Sequence, residues 1–247
     1  MAIVENDGIL VMGMDDEYNR KHFSGYSRDG TLLGTSPIPD SLSVVGTGAL
    51  IRECPAGGAW FFFNIGGNPL YHIAPSGEFG KHITIQPSRN TQGCIVNGHL
   101  YCEDQNTILD IDLATGQSSI FKDLSSERRI MALLAPGIRE GFAVAVWNQN
   151  LRQQECIHYS TNGAELKKTI LPGMAVDIQI PIAVDDSIFY FDRYFYRLNT
   201  QGGYTCGAMP ILQQYYSLHV RSDGTVAAIR GGSSEEPGKV RCYRLMK

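Results

Sequence analysis

The chain has 247 residues, of which 43% are hydrophobic and 19% charged, and its formal net charge is −4. That length suffices for one large core, so a single all-β domain spanning 1–247 is expected. A net negative charge offers no general attraction to nucleic acid or to an anionic membrane, and no apolar run approaches the roughly 18 residues of a membrane helix, so neither is an expected partner.

The N-terminal stretch 1–8 carries neither the basic region nor the long apolar region of a secretory signal, which makes the cytoplasm the expected location. The first β-rich runs follow at once: Ile3-Val4, then 9–12, then 22–26, then Leu32-Leu33. Between the last two stands Tyr26-Ser27-Arg28-Asp29-Gly30, a tight turn ending in glycine. The same phrase returns as Ile73-Ala74-Pro75-Ser76-Gly77, Leu113-Ala114-Thr115-Gly116, Tyr159-Ser160-Thr161-Asn162-Gly163 and Leu198-Asn199-Thr200-Gln201-Gly202. Self-similarity at a period of roughly 40 residues marks a repeat architecture, because one unit cannot bury its own hydrophobic face and must stack on the next.

Each unit reads as strand A, polar turn, strand B, loop, strand C, glycine turn, strand D. The third is the clearest: Cys94-Ile95-Val96, the turn Asn97-Gly98, Leu100-Tyr101-Cys102, then 108–111, Gly116 and 119–121. The B strands at 60–63, 142–146, 188–191 and 226–229 are unbroken apolar runs. A strand apolar on both sides is covered on both sides, as the middle strand of a sheet packed between other sheets is. Asn97-Gly98 and Asn162-Gly163 both read as type I′ hairpin turns. No stretch of ten residues carries a helical period with caps.

Six units divide the chain at about 41 residues each, the length of a propeller blade. The expected fold is therefore an all-β, six-bladed β-propeller with about four strands per blade. The last unit lacks a D strand. Either it stays three-stranded, or Ile3-Val4 completes it and the first unit is short.

Six cysteines do not read as a disulfide framework. In a two-residue hairpin Val96 faces His99, so Cys94 faces Tyr101 and Gly93 faces Cys102, and the two sulfurs point to opposite faces. Cys54, Cys156, Cys206 and Cys242 fall in four different units, so reduced and mostly buried thiols are expected.

The phrasing of 8–15, answered by Asp29-Gly30, resembles the six-bladed propellers of the NHL and gluconolactonase-like kind. In gluconolactonase-like propellers carboxylate and amide side chains hold a metal near the channel mouth. The resemblance therefore raises Asp15, Asn64, Glu103, Asn148 and Asp192 as a diluted version of that site, and a metal-assisted hydrolase or lactonase as an alternative function. Against it, these residues end middle strands, and no inward general base has a paired partner. No catalytic residue, metal or cofactor is accordingly expected. His72 and His158 stand five residues before a turn glycine in units two and four, where they cannot share a metal, so each is expected to be structural.

The B–C loops of all blades emerge on one face of a propeller, and rigid scaffolds present function on such loops. They supply Asp15, Asp16, Glu103, Asp104, Trp147, Asn148, Asp192, Arg193, Tyr194 and Arg230, a mixture of carboxylates, amide, aromatics and arginine suited to recognising a partner. The expected function is binding of another protein without catalysis, of the kind an immunity protein exerts on a toxin or effector. A carbohydrate-binding propeller is a further alternative, disfavoured because Trp60 and Trp147 sit at different offsets in their units. The stretch 34–45, with its prolines and Leu42, reads as a long non-strand connection and a second docking candidate.

Overall fold

The structure is a computed structural model. It describes the chain except residues 1, 4–7, 15–20, 28, 44–50, 54–56, 63–68, 85–92, 105, 125–126, 135–140, 172–181, 184–187, 192–193, 199–203, 209–216, 221–224, 231–238 and 245–247. At 2–3, 14, 43, 51–53, 62, 129, 131–134 and beyond 170 the description covers the backbone alone. The described residues form antiparallel meanders in which each strand pairs with its neighbours in the chain. They fall into two compact units, Met1–Phe121 and Lys122–Lys247.

The first unit holds sheet 1, of β1 (Ala2–Ile3), β2 (Ile9–Met14), β3 (Lys21–Tyr26) and β4 (Leu32–Pro37). Sheet 2 consists of β5 (Ile51–Glu53), β6 (Ala59–Phe62), β7 (Pro69–Ile73) and β8 (Phe79–Thr84). Sheet 3 consists of β9 (Gly93–Val96), β10 (His99–Asp104), β11 (Thr107–Asp112) and β12 (Ser118–Asp123), whose last two residues belong to the second unit.

Sheet 2 shows why its middle strand is apolar throughout. Ala59, Phe61 and Ile73 join Leu10 and Phe23 of sheet 1 in one core, while Trp60, Leu70 and Ile83 join Ile95, Leu100 and Ile111 of sheet 3 in another. Alternate residues of β6 thus enter different cores, each full burial of a large side chain contributing about 1.5–3 kcal/mol. Phe23 anchors the first core, meeting the Phe61 and Phe79 rings edge-on at centroid distances of 4.8 and 5.6 Å. The A strands also adjoin across sheets, β1 beside β5 and β5 beside β9.

Two of the repeated glycine turns lock one sheet to the next. Turn 74–78 of sheet 2 seats against β3 and β4 of sheet 1, so closely that a Cβ on Gly34 would stand 2.8 Å from the Ser76 carbonyl oxygen. The Lys81 ammonium of β8 likewise donates to the Leu113 and Ala114 carbonyls in the glycine turn of sheet 3. The turn glycines are glycines because the chain there needs positive φ: +86° at Gly30, +91° at Gly77, +77° at Gly116 and +85° at Gly163.

Two expectations about turns part company. Asn97 and Gly98 have φ of 51° and 81°, and Val96 pairs with His99, Cys94 with Tyr101 and Gly93 with Cys102, as the two-residue hairpin requires. Asn162-Gly163 is not that turn. Gly163 N–H donates to the Ser160 carbonyl at 3.0 Å, only the glycine of the dipeptide has positive φ, and the ladder shifts by one residue between His158 and Tyr159. It is a type I turn closed by a glycine bulge. Its hydroxyl chemistry repeats the sheet 1 turn: Ser160 Oγ donates to Asn162 Oδ1 as Ser27 Oγ does to Asp29 Oδ1, and Ala164 N–H and Thr31 N–H donate to those same acceptors at 3.2 Å each.

The stretch 34–45 is corrected more fully. β4 runs on to Pro37, and α1 (Asp40–Ser43) follows. Ile38 and Leu42 are buried in the sheet 1 core rather than offered to a partner. Ile38 N–H reaches the Lys21 carbonyl at 2.8 Å and Ser24 and Thr35 hydroxyls meet at 2.9 Å, so strand pairing carries the chain past the point where the prolines suggested a loop.

The second unit holds sheet 4, of β13 (Arg128–Leu134), β14 (Gly141–Asn148), β15 (Gln153–Ser160) and β16 (Glu165–Leu171). Sheet 5 consists of β17 (Ile182–Ala183), β18 (Ile188–Phe191), β19 (Tyr194–Leu198) and β20 (Tyr204–Ala208). Sheet 6 consists of β21 (Ser217–Val220), β22 (Thr225–Arg230) and β23 (Lys239–Arg244). In β14 the run from Phe142 to Val146 is buried without a break. The last sheet has three strands among the described residues, and β1 pairs with β2 of its own sheet, which follows the first of the two arrangements the sequence left open. Cys94, Cys102 and Cys156 are buried free thiols. Burial raises the Cys102 and Cys156 pKa to about 12.

Candidate functional site

Strand register places the candidate residues at one kind of position. Asp104 pairs with Thr107 and Glu103 with Ile108 at the end of β10, where both carboxylates are half-buried. Asn148 pairs with Gln153 and Trp147 with Gln154 at the end of β14, Tyr194 pairs with Phe191 at the start of β19, and Arg230 pairs with Lys239 at the end of β22. Every one of these borders the B–C connection of its own sheet. Asp15, Asp16, Asn64, Asp192 and Arg193 lie outside the described residues.

The best-defined connection is that of sheet 4. Arg128, Asn148 and Gln153 stand side by side across β13, β14 and β15, and Glu155 lies two residues further along β15 on the same face. Its carboxylate is fully buried. Asn148 Nδ2 donates to Glu155 Oε1 at 3.0 Å, Gln153 Nε2 donates to the same oxygen at 2.9 Å, and Arg128 Nε pairs with Oε2 at 3.3 Å. A buried carboxylate is tolerated only when its charge is met in this way.

The other end of the Asn148 amide accepts Leu151 N–H at 3.0 Å, and Gln149 N–H donates to the Glu127 carbonyl at 2.9 Å. The four-residue tip is therefore fixed from beneath and from the side. Arg152 takes positive φ (51°) within it, and Leu151 is left 61% exposed. Trp147 lies on the opposite face of β14 from Asn148 and is half-buried. Asn148 is itself buried and spends both ends of its side chain inside the hairpin, so it positions the tip rather than presenting a contact.

Sequence reasoning missed Arg128, Gln153 and Glu155. A signal was present: Glu155 interrupts an otherwise buried strand, and a charge there demands a partner. The Arg128→Met variant should lose about 2 kcal/mol of stability, a figure reduced because the arginine is 26% exposed and water replaces part of its pairing. Adding Glu155→Gln to it should restore more than half, since glutamine keeps the acceptor for Asn148 and Gln153 without the stranded charge. Urea denaturation of the two variants checks this, and additive losses would show that the charge is not the cause.

At the opposite end of sheet 3, His99 Nδ1 lies 2.7 Å from Asp110 Oδ1, and Tyr101, buried and beside Asp110, has its pKa raised to about 12. The two histidines singled out by position are built into their sheets: His72 Nε2 bonds the Gly57 carbonyl at 2.7 Å, and His158, 1% exposed, meets Cys156 Sγ at 3.5 Å. Among the described residues no group of three or more His, Cys, Asp or Glu side chains comes together to hold a metal ion.

No family model matches the chain, and no curated protein matches it. Solved structures do. A chain of a nidogen/laminin complex matches with a TM-score of 0.52 at 11% identity, over 90% of this chain and 85% of that one. An oligogalacturonate lyase in complex with manganese matches with a TM-score of 0.49 at 10% identity, over 99% and 86%. An oligogalacturonate lyase from Vibrio parahaemolyticus matches with a TM-score of 0.48 at 12% identity, over 93% and 68%. These are β-propeller-like proteins; the nidogen/laminin match, the one of the three with a TM-score above 0.5, bears on this chain, and at 11% identity it speaks to fold alone. With its chain-ordered antiparallel meanders, this protein is nearly all-β among its described residues and β-propeller-like.

Proposed function

We propose that the chain is a six-bladed β-propeller of the NHL or gluconolactonase-like kind that binds another protein through its B–C connections, without catalysis. In this reading it acts in the cytoplasm as the inhibitory partner of a toxin or effector, as an immunity protein does. The observation that carries the proposal is the sheet 4 hairpin. A buried charge network holds Asn148, Asn148 holds the tip, the tip leaves Leu151 exposed, and Trp147, at the end of the strand that leads into the tip, is partly exposed. A contact surface fixed before binding loses little conformational freedom on docking, and partly exposed tryptophan is the residue type most enriched among binding hot spots.

The test is to express the chain with proteins encoded next to its gene, identify a complex, and measure its affinity by calorimetry. Trp147→Ala should cost about 2 kcal/mol, roughly thirtyfold in Kd, with smaller losses for Asp104→Ala and Asp192→Ala. Affinity unchanged in all three variants would remove the proposed face.

A further inference from the structure

The chain contains two described Asn-Gly dipeptides on exposed turns, and the structure treats them differently. At Asn162-Gly163, the side-chain oxygen of Asn162 accepts from Ser160 Oγ and from Ala164 N–H at 3.2 Å, and Gly163 N–H is engaged with the Ser160 carbonyl at 3.0 Å. At Asn97-Gly98, the Asn97 side chain and the Gly98 N–H make no hydrogen bond among the described residues, and a Cβ on Gly98 would meet nothing within 4 Å. Beyond the strand ladder, the turn's one hydrogen bond among the described residues is at the Gly98 carbonyl, which accepts Leu113 N–H at 3.0 Å.

We propose that Asn97 is a site of spontaneous deamidation in the folded protein, while Asn162 is held in its amide form by its turn. The nucleophile is the Gly98 backbone nitrogen, which loses its proton to water or hydroxide and forms a bond to Asn97 Cγ. The bond from Cγ to the side-chain nitrogen breaks, ammonia leaves, and a five-membered succinimide remains. Water then opens that ring at either carbonyl, giving aspartate or isoaspartate. Overall one water is consumed and one ammonia released, and nothing is oxidised or reduced.

Both requirements of the attack, a nucleophilic N–H and a side chain that no hydrogen bond holds away from it, are met at Asn97 among the described residues and denied at Asn162. Glycine imposes no side-chain obstruction in either case, so sequence alone would rank the two sites equally. Nor does the sheet 4 turn need an amide, because Asp29 occupies the matching place in the sheet 1 turn with the same donors. The difference lies in hydrogen bonding.

Aspartate at position 97 keeps the hairpin, since Asp-Gly suits the same type I′ turn. Isoaspartate inserts a backbone carbon into a two-residue connection and cannot keep Val96 opposite His99. The isoaspartyl fraction should therefore be less stable than the rest.

The experiment is to hold the folded full chain at mildly alkaline pH and physiological temperature, sample it over days, and quantify aspartate and isoaspartate at both positions by peptide mass mapping. A parallel sample is kept unfolded in urea. The expected result is conversion at Asn97 several-fold faster than at Asn162 in the folded chain, and equal rates in the unfolded one. Equal rates in the folded chain, or no conversion of Asn97 over a period that converts it in urea, would overturn the proposal. So would unequal rates in urea, which would trace the difference to neighbouring sequence instead of to the turns.

Discussion

Replacing Gly25 with alanine should destabilise the first unit by about 4 kcal/mol. Gly25 sits in β3 with ordinary extended φ, so strain is not the reason. Taken alone, such a change would stabilise, because alanine leaves the unfolded chain with less freedom to lose. The sign reverses because there is no room. A Cβ on Gly25 would stand 1.7 Å from the Pro75 carbonyl oxygen, 2.7 Å from its carbon and 3.0 Å from the Ser76 carbonyl carbon.

All three obstacles are backbone, which cannot rotate aside as a long side chain can. The turn of sheet 2 would have to lift away from sheet 1, and the apolar contacts around Phe23 would open with it. Gly30→Ala is the control. It has nothing within 4 Å of its Cβ, and its only cost is positive φ, about 1 kcal/mol. Urea denaturation comparing the two variants decides the matter, and a Gly25→Ala loss no larger than that of Gly30→Ala would show that the sheets do not lock at this turn.

The second large effect is a loss of stability in mild acid that traces to His158. Its ring is buried among β14, β15 and β16, and burial, with Lys167 adding to it, lowers its pKa from 6.5 to about 4. The folded value lies below the unfolded one, so between them the unfolded chain binds the extra proton. The stabilisation is complete above the unfolded pKa near 6.5 and drains away as pH falls toward 4. Going from about pH 7 to about pH 4.5, the protein should lose about 2.5 kcal/mol through this one group.

His158→Gln should remove most of that slope while leaving the neutral-pH protein folded. Asp29 and Asp112, whose hydrogen bonds lower their pKa below 3.8, titrate under this window and do not confuse the reading. Denaturant midpoints of the two proteins across this range provide the measurement. A variant as acid-sensitive as the parent would place the sensitivity elsewhere.

Much of the architecture was legible in local chemistry. The turn at Asn97-Gly98 fixes the register of β9 on β10 because two residues of positive φ permit one hairpin geometry, and register then settles which way Cys94 and Cys102 point. The unbroken apolar run at Trp60-Phe61 announces two covered faces because strand side chains alternate. Asn162-Gly163 looked identical and folded otherwise, since Ser160 and Gly163 set a longer turn that no dipeptide reveals. The stretch after Gly34 was misjudged for a related reason: its prolines signal a loop only while the neighbouring Lys21 carbonyl and the Phe23 core are unknown.

The candidate site divides along the same line. Strand ends, and hence which residues border the B–C connections, follow from periodicity two and glycine turns, which are properties of neighbours in the chain. What supports the sheet 4 tip does not, because Arg128, Asn148 and Glu155 come from three different strands and meet only when those strands align. The sequence by itself determined the repeat, the strand order and the register of the Asn97-Gly98 hairpin, all governed by backbone preference and alternation over a few residues. Only the tertiary structure decided that Asn148 faces inward, that Glu155 is paired, and that Gly25 must be bare for the next sheet to dock, because burial and close approach are set by residues distant in the chain.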